Sequence, residues 1–152
     1  MLSKLSIKQK LILIMLIPLI VVILLAAKLA VDLFSTSKNL HALDNVVVLS
    51  TKIGALVHET QKERGMTAGF IGSKGEKFKT ELPTQRTNVD AKLKELNSFL
   101  STFNKDEYGM EFSENLNSGI KKLEALSTTR NGVSNLSLNA AVAIAYYTDL
   151  NK

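Results

Sequence analysis

Between Leu11 and Ala27 the chain reads LILIMLIPLIVVILLAA, seventeen residues without a charge or a strong polar group, and Leu29 to Val31 extend the apolar run past Lys28. At ~1.5 Å of rise per residue, about 20 such residues in a helix cross the hydrocarbon of a bilayer. A secretory leader has a shorter apolar core followed by small residues two apart, a spacing that is missing from Ala26 to Ala30. The segment 11–31 therefore predicts an uncleaved transmembrane helix. Lys4, Lys8 and Lys10 precede it, whereas the first acidic residue, Asp32, follows it. That asymmetry predicts that residues 1–10 are cytoplasmic and that 32–152 form an exported domain on the far side of the membrane. Pro18 lies inside the span, where a mild kink is tolerated.

Charge supports the same topology. Without Lys4, Lys8, Lys10 and Lys28 the chain keeps 15 basic residues against 14 acidic ones, so the exported part carries about +1 of the overall +5 and the rest belongs to the membrane flanks. It is not a nucleic-acid footprint. With no cysteine, disulfide and thiol chemistry are excluded.

Beyond residue 31 apolar residues recur three and four apart, and the alternation of strands is missing. The expected fold is all-α: one transmembrane helix continuing into an up-and-down antiparallel bundle. The first helix is predicted to run to about Ile71, the second from about Glu76 to Phe103, the third from Phe112 to Arg130, and a fourth from near Asn139. Turns are expected at Gly72-Ser73-Lys74-Gly75, at Asn104 to Gly109, and at Asn131-Gly132 with Ser134 and Asn135. Pro83 falls in the first turns of the second helix and can bend it. Ser137 or Asn139 can cap the fourth helix, which has neither Gly nor Pro to stop it before Lys152. On this reading the chain ends mid-helix, as the front part of a longer domain.

At ~100° per residue, with Ile53 at zero, Val57, Thr60, Ala68 and Ile71 form a stripe that places Arg64 at about 20°, inside the expected core. A guanidinium there needs a partner, and its planar fork fits a carboxylate or a flat oxyanion. Glu63 or a carboxylate on a neighbouring helix would satisfy it structurally. Gln61 lies one turn before it. On the second helix Gln85 and Arg86 interrupt the apolar stripe at a depth that matches residue 64 across the hairpin. Arg64, Gln61, Gln85 and Arg86 are thus candidates for a polar, anion-binding pocket between the two helices. Arg86 also suits a solvated flank.

Gly54, Gly65, Gly69 and Gly72 form a second stripe at about 100–160°. Glycine costs about 1 kcal/mol in a helix interior, so the stripe implies close approach of another helix, within the chain or across a homodimer. His41 and His58 fit ordinary helix positions. Arg130 fits the end of its helix, where a cation favours the dipole, and Tyr146 and Tyr147 fit core and edge packing. No cluster has metal spacing, and no phosphate loop, nucleophile elbow or paired carboxylates mark an enzyme. No cofactor or metal is expected.

These residues resemble the nitrate- and nitrite-sensing domain of bacterial chemotaxis receptors, histidine kinases, cyclases and antiterminators. The likeness rests on His58-Glu59-Thr60-Gln61-Lys62-Glu63-Arg64-Gly65-Met66-Thr67-Ala68-Gly69-Phe70-Ile71, then Gly72 to Gly75, Phe78, Gln85-Arg86, Asp90 and Tyr146 to Asn151. Thr60, usually apolar in the family, and Thr67, often Ser, depart from it. The resemblance covers about residues 45–152, the front portion of the family domain. It implies that Arg64, the arginine of the Glu-Arg-Gly block, contacts nitrate or nitrite. The family's second key arginine lies further downstream, so the resemblance does not supply a complete site. It also implies a receptor, with chemotaxis or kinase output carried elsewhere. A membrane-anchored interaction protein without a small ligand, or the same bundle tuned to an amino acid or organic acid, are the competing expectations.

Overall fold

The computed structural model describes residues 6–152, apart from the side chains of 9, 10, 13 and 35–42. Lys4, the Lys10 side chain and the His41 side chain therefore lie outside the described residues. Among those described, the chain is helical without strands. Helix α1 spans Ile7–Gly72, α2 Glu81–Leu100, α3 Met110–Leu123, α4 Leu126–Ser134 and α5 Ala140–Leu150, with a short 3-10 helix at Lys105–Tyr108.

Two compact units divide the chain, Met1–Val46 and Val47–Lys152. Among the described residues the first consists of Ser6 and the N-terminal part of α1. Within it Ile14–Phe34, 21 residues, is long and apolar enough to cross a membrane, and its large side chains are exposed, Phe34 among them. Pro18 sits inside the helix without ending it.

The second unit is a helical bundle. Its larger core gathers Leu49, Leu56, Val89, Leu96, Leu126 and Tyr147, and a smaller cluster holds Leu82, Val133 and Ala143. Two sequence expectations shift at the first hairpin. Lys74 and Phe78 have φ of 55° and 59° and Gly75 has 91°, conformations that interrupt a right-handed helix. As a result α2 starts at Glu81, not Glu76, and Phe78 lies in the turn, not on α2's stripe. Pro83 then falls in the first turn of α2, where a missing N–H removes no intrahelical bond.

The predicted third helix is two. α3 ends at Leu123, where the Glu124 N–H bonds the Lys121 carbonyl in a tight 3.2 Å turn, and α4 begins as a separate element. Asn131-Gly132 is not a stop: α4 continues to Ser134. Gly132 eases packing instead: a Cβ there would lie 3.2 Å from that of Leu138, tighter than ordinary contact. The reversal falls at Leu136, φ 53°. Asn139 caps α5, accepting from the Val142 N–H at 2.9 Å. α5 spans Ala140–Leu150, and the Asn151 N–H still bonds the Tyr147 carbonyl four residues back.

Candidate functional site

The face that α1 turns into the bundle is not the apolar stripe. Its buried residues are Leu49, Leu56, Thr60, Glu63 and Thr67, a line rotated by roughly 60° from the Ile53–Val57–Arg64 stripe at ~100° per residue. Glu63 is 0% exposed. A carboxylate in that position requires charge and hydrogen bonds on all sides, and three helices supply them.

From α4, Arg130 Nε donates to Glu63 Oε1 and Nη2 to Oε2, each at 2.8 Å. This is the two-pronged geometry that guanidinium and carboxylate share. From α5, the buried Tyr147 hydroxyl donates to Glu63 Oε1 at 2.7 Å. From α2, Arg86 Nε lies 3.5 Å from the same oxygen, an ion pair without hydrogen-bond geometry. Arg86 Nη1 donates to Ser134 Oγ at 2.7 Å and Nη2 to the Arg130 carbonyl at 3.3 Å, while Arg130 Nη2 also reaches the Arg86 carbonyl at 3.3 Å. Asp90 takes Arg130 Nη1 at 2.5 Å from the exposed side. Two guanidinium groups thus face two carboxylates, and the cluster is electrically balanced.

The environment biases the titrating groups. Burial works against the charged form of Arg130, but the hydrogen bonds and charges of Glu63 and Asp90 outweigh it and hold the guanidinium above its ordinary value. Burial, reinforced by the Glu63 charge, raises the Tyr147 phenol well above its ordinary value. Burial pushes Tyr146 up to about 12. Both phenols are therefore neutral donors at neutral pH, and the Tyr146 hydroxyl bonds the Lys122 carbonyl at 3.0 Å.

One turn back along α1, Gln85 Nε2 donates to the Glu59 carbonyl at 3.0 Å and to Glu59 Oε2 at 2.7 Å. Hydrogen bonds from Lys62, at 2.8 Å, and from Gln85 hold the Glu59 carboxyl below its ordinary value. Polar groups of α1 and α2 do meet at the matched depth, and the partners are Glu59 and Glu63. Arg64 points elsewhere. It is half-buried, and its Nη1 donates to Thr148 Oγ1 on α5 at 3.2 Å.

Residues 55–152 match the family model described as nitrate and nitrite sensing. The chain belongs to the nitrate- and nitrite-sensing family. Comparison with curated proteins and with solved structures gives no match.

In this nitrate- and nitrite-sensing domain the sequence candidates do not share one pocket. Gln85 and Arg86 face α1 and are held by Glu59 and by the Glu63 cluster, Arg64 faces α5, and Gln61 is exposed. Of the four stripe glycines, Gly69 alone has a neighbour in close approach: a Cβ there would lie 2.5 Å from the Phe78 ring, whereas at Gly54, Gly65 and Gly72 it would meet nothing within 4 Å. Among the described residues, nothing packs closely on those three. Sequence reading assigned no role to Glu63 beyond a partner for Arg64, and placed Arg130 at a helix end and Tyr147 in plain packing. The available signal was an acidic residue at four-three-four spacing with Leu56, Thr60 and Thr67.

Proposed function

We propose that the domain is the extracytoplasmic sensor of a transmembrane signalling receptor, binding nitrate, nitrite or a similar small planar anion through Arg64. Membership of a nitrate- and nitrite-sensing family carries this reading. The position of Arg64 supports it: the side chain is half-buried, and the hydrogen bond to the neutral Thr148 hydroxyl leaves further N–H groups of the fork for a ligand. Glu63, beside it in sequence, is already committed to Arg130. Gln61, one turn before Arg64, would add an amide donor. Gln85 and Arg86 would act from the α2 side, fixing α1 through Glu59 and Glu63.

A ligand shifts a conformational equilibrium only by its differential affinity for the two states. Arg64 and the apolar segment Ile14–Phe34 are both on α1, so an anion that favours one disposition of that helix has a path to the membrane. In this reading residues 1–10 are cytoplasmic, 11–31 span the inner membrane and 32–152 form the sensor, with chemotaxis or kinase output. The open Gly54, Gly65 and Gly72 face would serve homodimer contact.

Titration calorimetry of the full-length protein tests the reading. Saturable heat with nitrate or nitrite, and none with chloride or small carboxylates, is the expected result. No heat with either oxyanion, or equal heat with a carboxylate, contradicts it.

A further inference from the structure

Glu63 and Arg64 are neighbours on α1, and consecutive residues of α5 meet them. The Tyr147 hydroxyl donates to Glu63 Oε1 at 2.7 Å, while Arg64 Nη1 donates to Thr148 Oγ1 at 3.2 Å. The two hydroxyls act in opposite senses, because Thr148 gives its own proton to the Ile144 carbonyl one turn back, at 2.7 Å. A hydroxyl has one proton and two lone pairs, so towards Arg64 Thr148 is an acceptor only. It can hold a guanidinium N–H and has nothing to donate to an anion.

A carboxylate in place of Thr148 would pair with the guanidinium and cancel the charge that attracts an anion, as Glu63 pairs with Arg130. No ion pair among the described residues includes Arg64. The neutral acceptor fixes one end of the fork and leaves its charge in place. The edge formed by Nε and Nη2 carries no hydrogen bond among the described residues, and neither atom is buried without a partner, so that edge opens to solvent. A flat oxyanion can accept two parallel N–H bonds from one such edge. We propose that Thr148 is the positioning residue of the anion contact: its hydroxyl, with the proton already on Ile144, orients the Arg64 fork against α5 without neutralising it and presents the Nε and Nη2 edge to the ligand. This assignment rests on the reading of Arg64 as that contact.

Nitrate titration calorimetry of the full-length protein, with chemical denaturation of each variant alongside, tests the assignment. Thr148→Val keeps the shape and removes the acceptor, so it should weaken nitrate binding roughly tenfold, the effect of about one hydrogen bond to a charged group, with little change in denaturation midpoint. Thr148→Ser, which keeps the hydroxyl, should bind nitrate as the wild type does. Thr148→Asp should lose saturable nitrate heat while remaining as stable as the wild type, a split between affinity and stability that a merely structural threonine would not produce. Undiminished nitrate affinity in Thr148→Val, a loss in Thr148→Ser as large as in Thr148→Val, or an affinity that only tracks stability across the variants would each overturn the assignment. Arg64→Ala separates it from the reading beneath it. Nitrate binding lost in Arg64→Ala but intact in Thr148→Val refutes the role of Thr148 alone, whereas binding undiminished in Arg64→Ala refutes both.

Discussion

Arg130 on α4 holds both oxygens of the Glu63 carboxylate on α1, with two donors at 2.8 Å each. Around that pair Tyr147 and Arg86 complete the surroundings of a fully buried charge, so α1, α2, α4 and α5 meet at one carboxylate. Apolar packing alone would allow these helices to slide past one another. Directional bonds to one charge fix their register, because displacement of any one helix would leave an ion without its partner.

Removing the carboxylate should therefore cost more than its volume. Glu63→Ala leaves Arg130 and Arg86 facing one another, and breaking a buried pair costs about 3–5 kcal/mol. Glu63→Gln, which keeps an acceptor, should cost less. Replacing Glu63 by Leu together with Arg130 by Met should recover most of the loss, since apolar groups can substitute for a whole ion pair. Chemical denaturation of the four proteins measures the series.

The tyrosines predict an alkaline limit. Tyr146 is raised to about 12 and Tyr147 is raised further by burial and Glu63. In the unfolded chain both ionise near pH ~10, so above that pH the unfolded state binds fewer protons than the folded one. Stability contributed by the neutral phenols is then complete below pH ~10 and declines as pH rises towards the folded values. Tyr147→Phe should flatten that decline. It should also lower stability at neutral pH by about 1.5–3 kcal/mol, the range for a hydrogen bond to a charged group. Denaturation midpoints against pH, with tyrosinate absorbance, give both quantities.

How much of this was legible varies with the physics. The apolar helix near the N-terminus, the all-helical class and a cap at Ser137 or Asn139 could be read directly, because hydropathy, period and capping chemistry are local. The inward face of α1 could not. Thr60, Glu63 and Thr67 occupy core positions, so the apolar stripe gave a direction wrong by a sixth of a turn and placed Arg64, not Glu63, at the centre. Gly132 resembled a stop because its true reason, the approach of Leu138, is a contact made after the chain has turned. The 55–152 family match supports the Glu-Arg-Gly resemblance, yet the mutual placement of Arg64, Gln61, Gln85 and Arg86 depended on helix rotation, which the pattern misjudged.

The glycines separate by environment. Gly54→Ala and Gly65→Ala, with open space at the new methyl group, should each stabilise the isolated bundle by up to about 1 kcal/mol through helix propensity. Gly69→Ala must displace the Phe78 ring, 2.5 Å from the Cβ position, and should lose that gain or reverse it. Thermal denaturation ranks the three, and sedimentation at rising concentration shows whether the first two weaken a dimer.

The central claim is that Arg64 is the anion contact, and thermal denaturation of the full-length protein with and without nitrate tests it most directly. At a nitrate concentration about 100-fold above its dissociation constant, mass action adds roughly 2.7 kcal/mol of stability, enough to raise Tm by several degrees. Arg64→Ala should abolish that rise while leaving helicity by circular dichroism unchanged. An undiminished nitrate-dependent rise in Arg64→Ala would contradict the account.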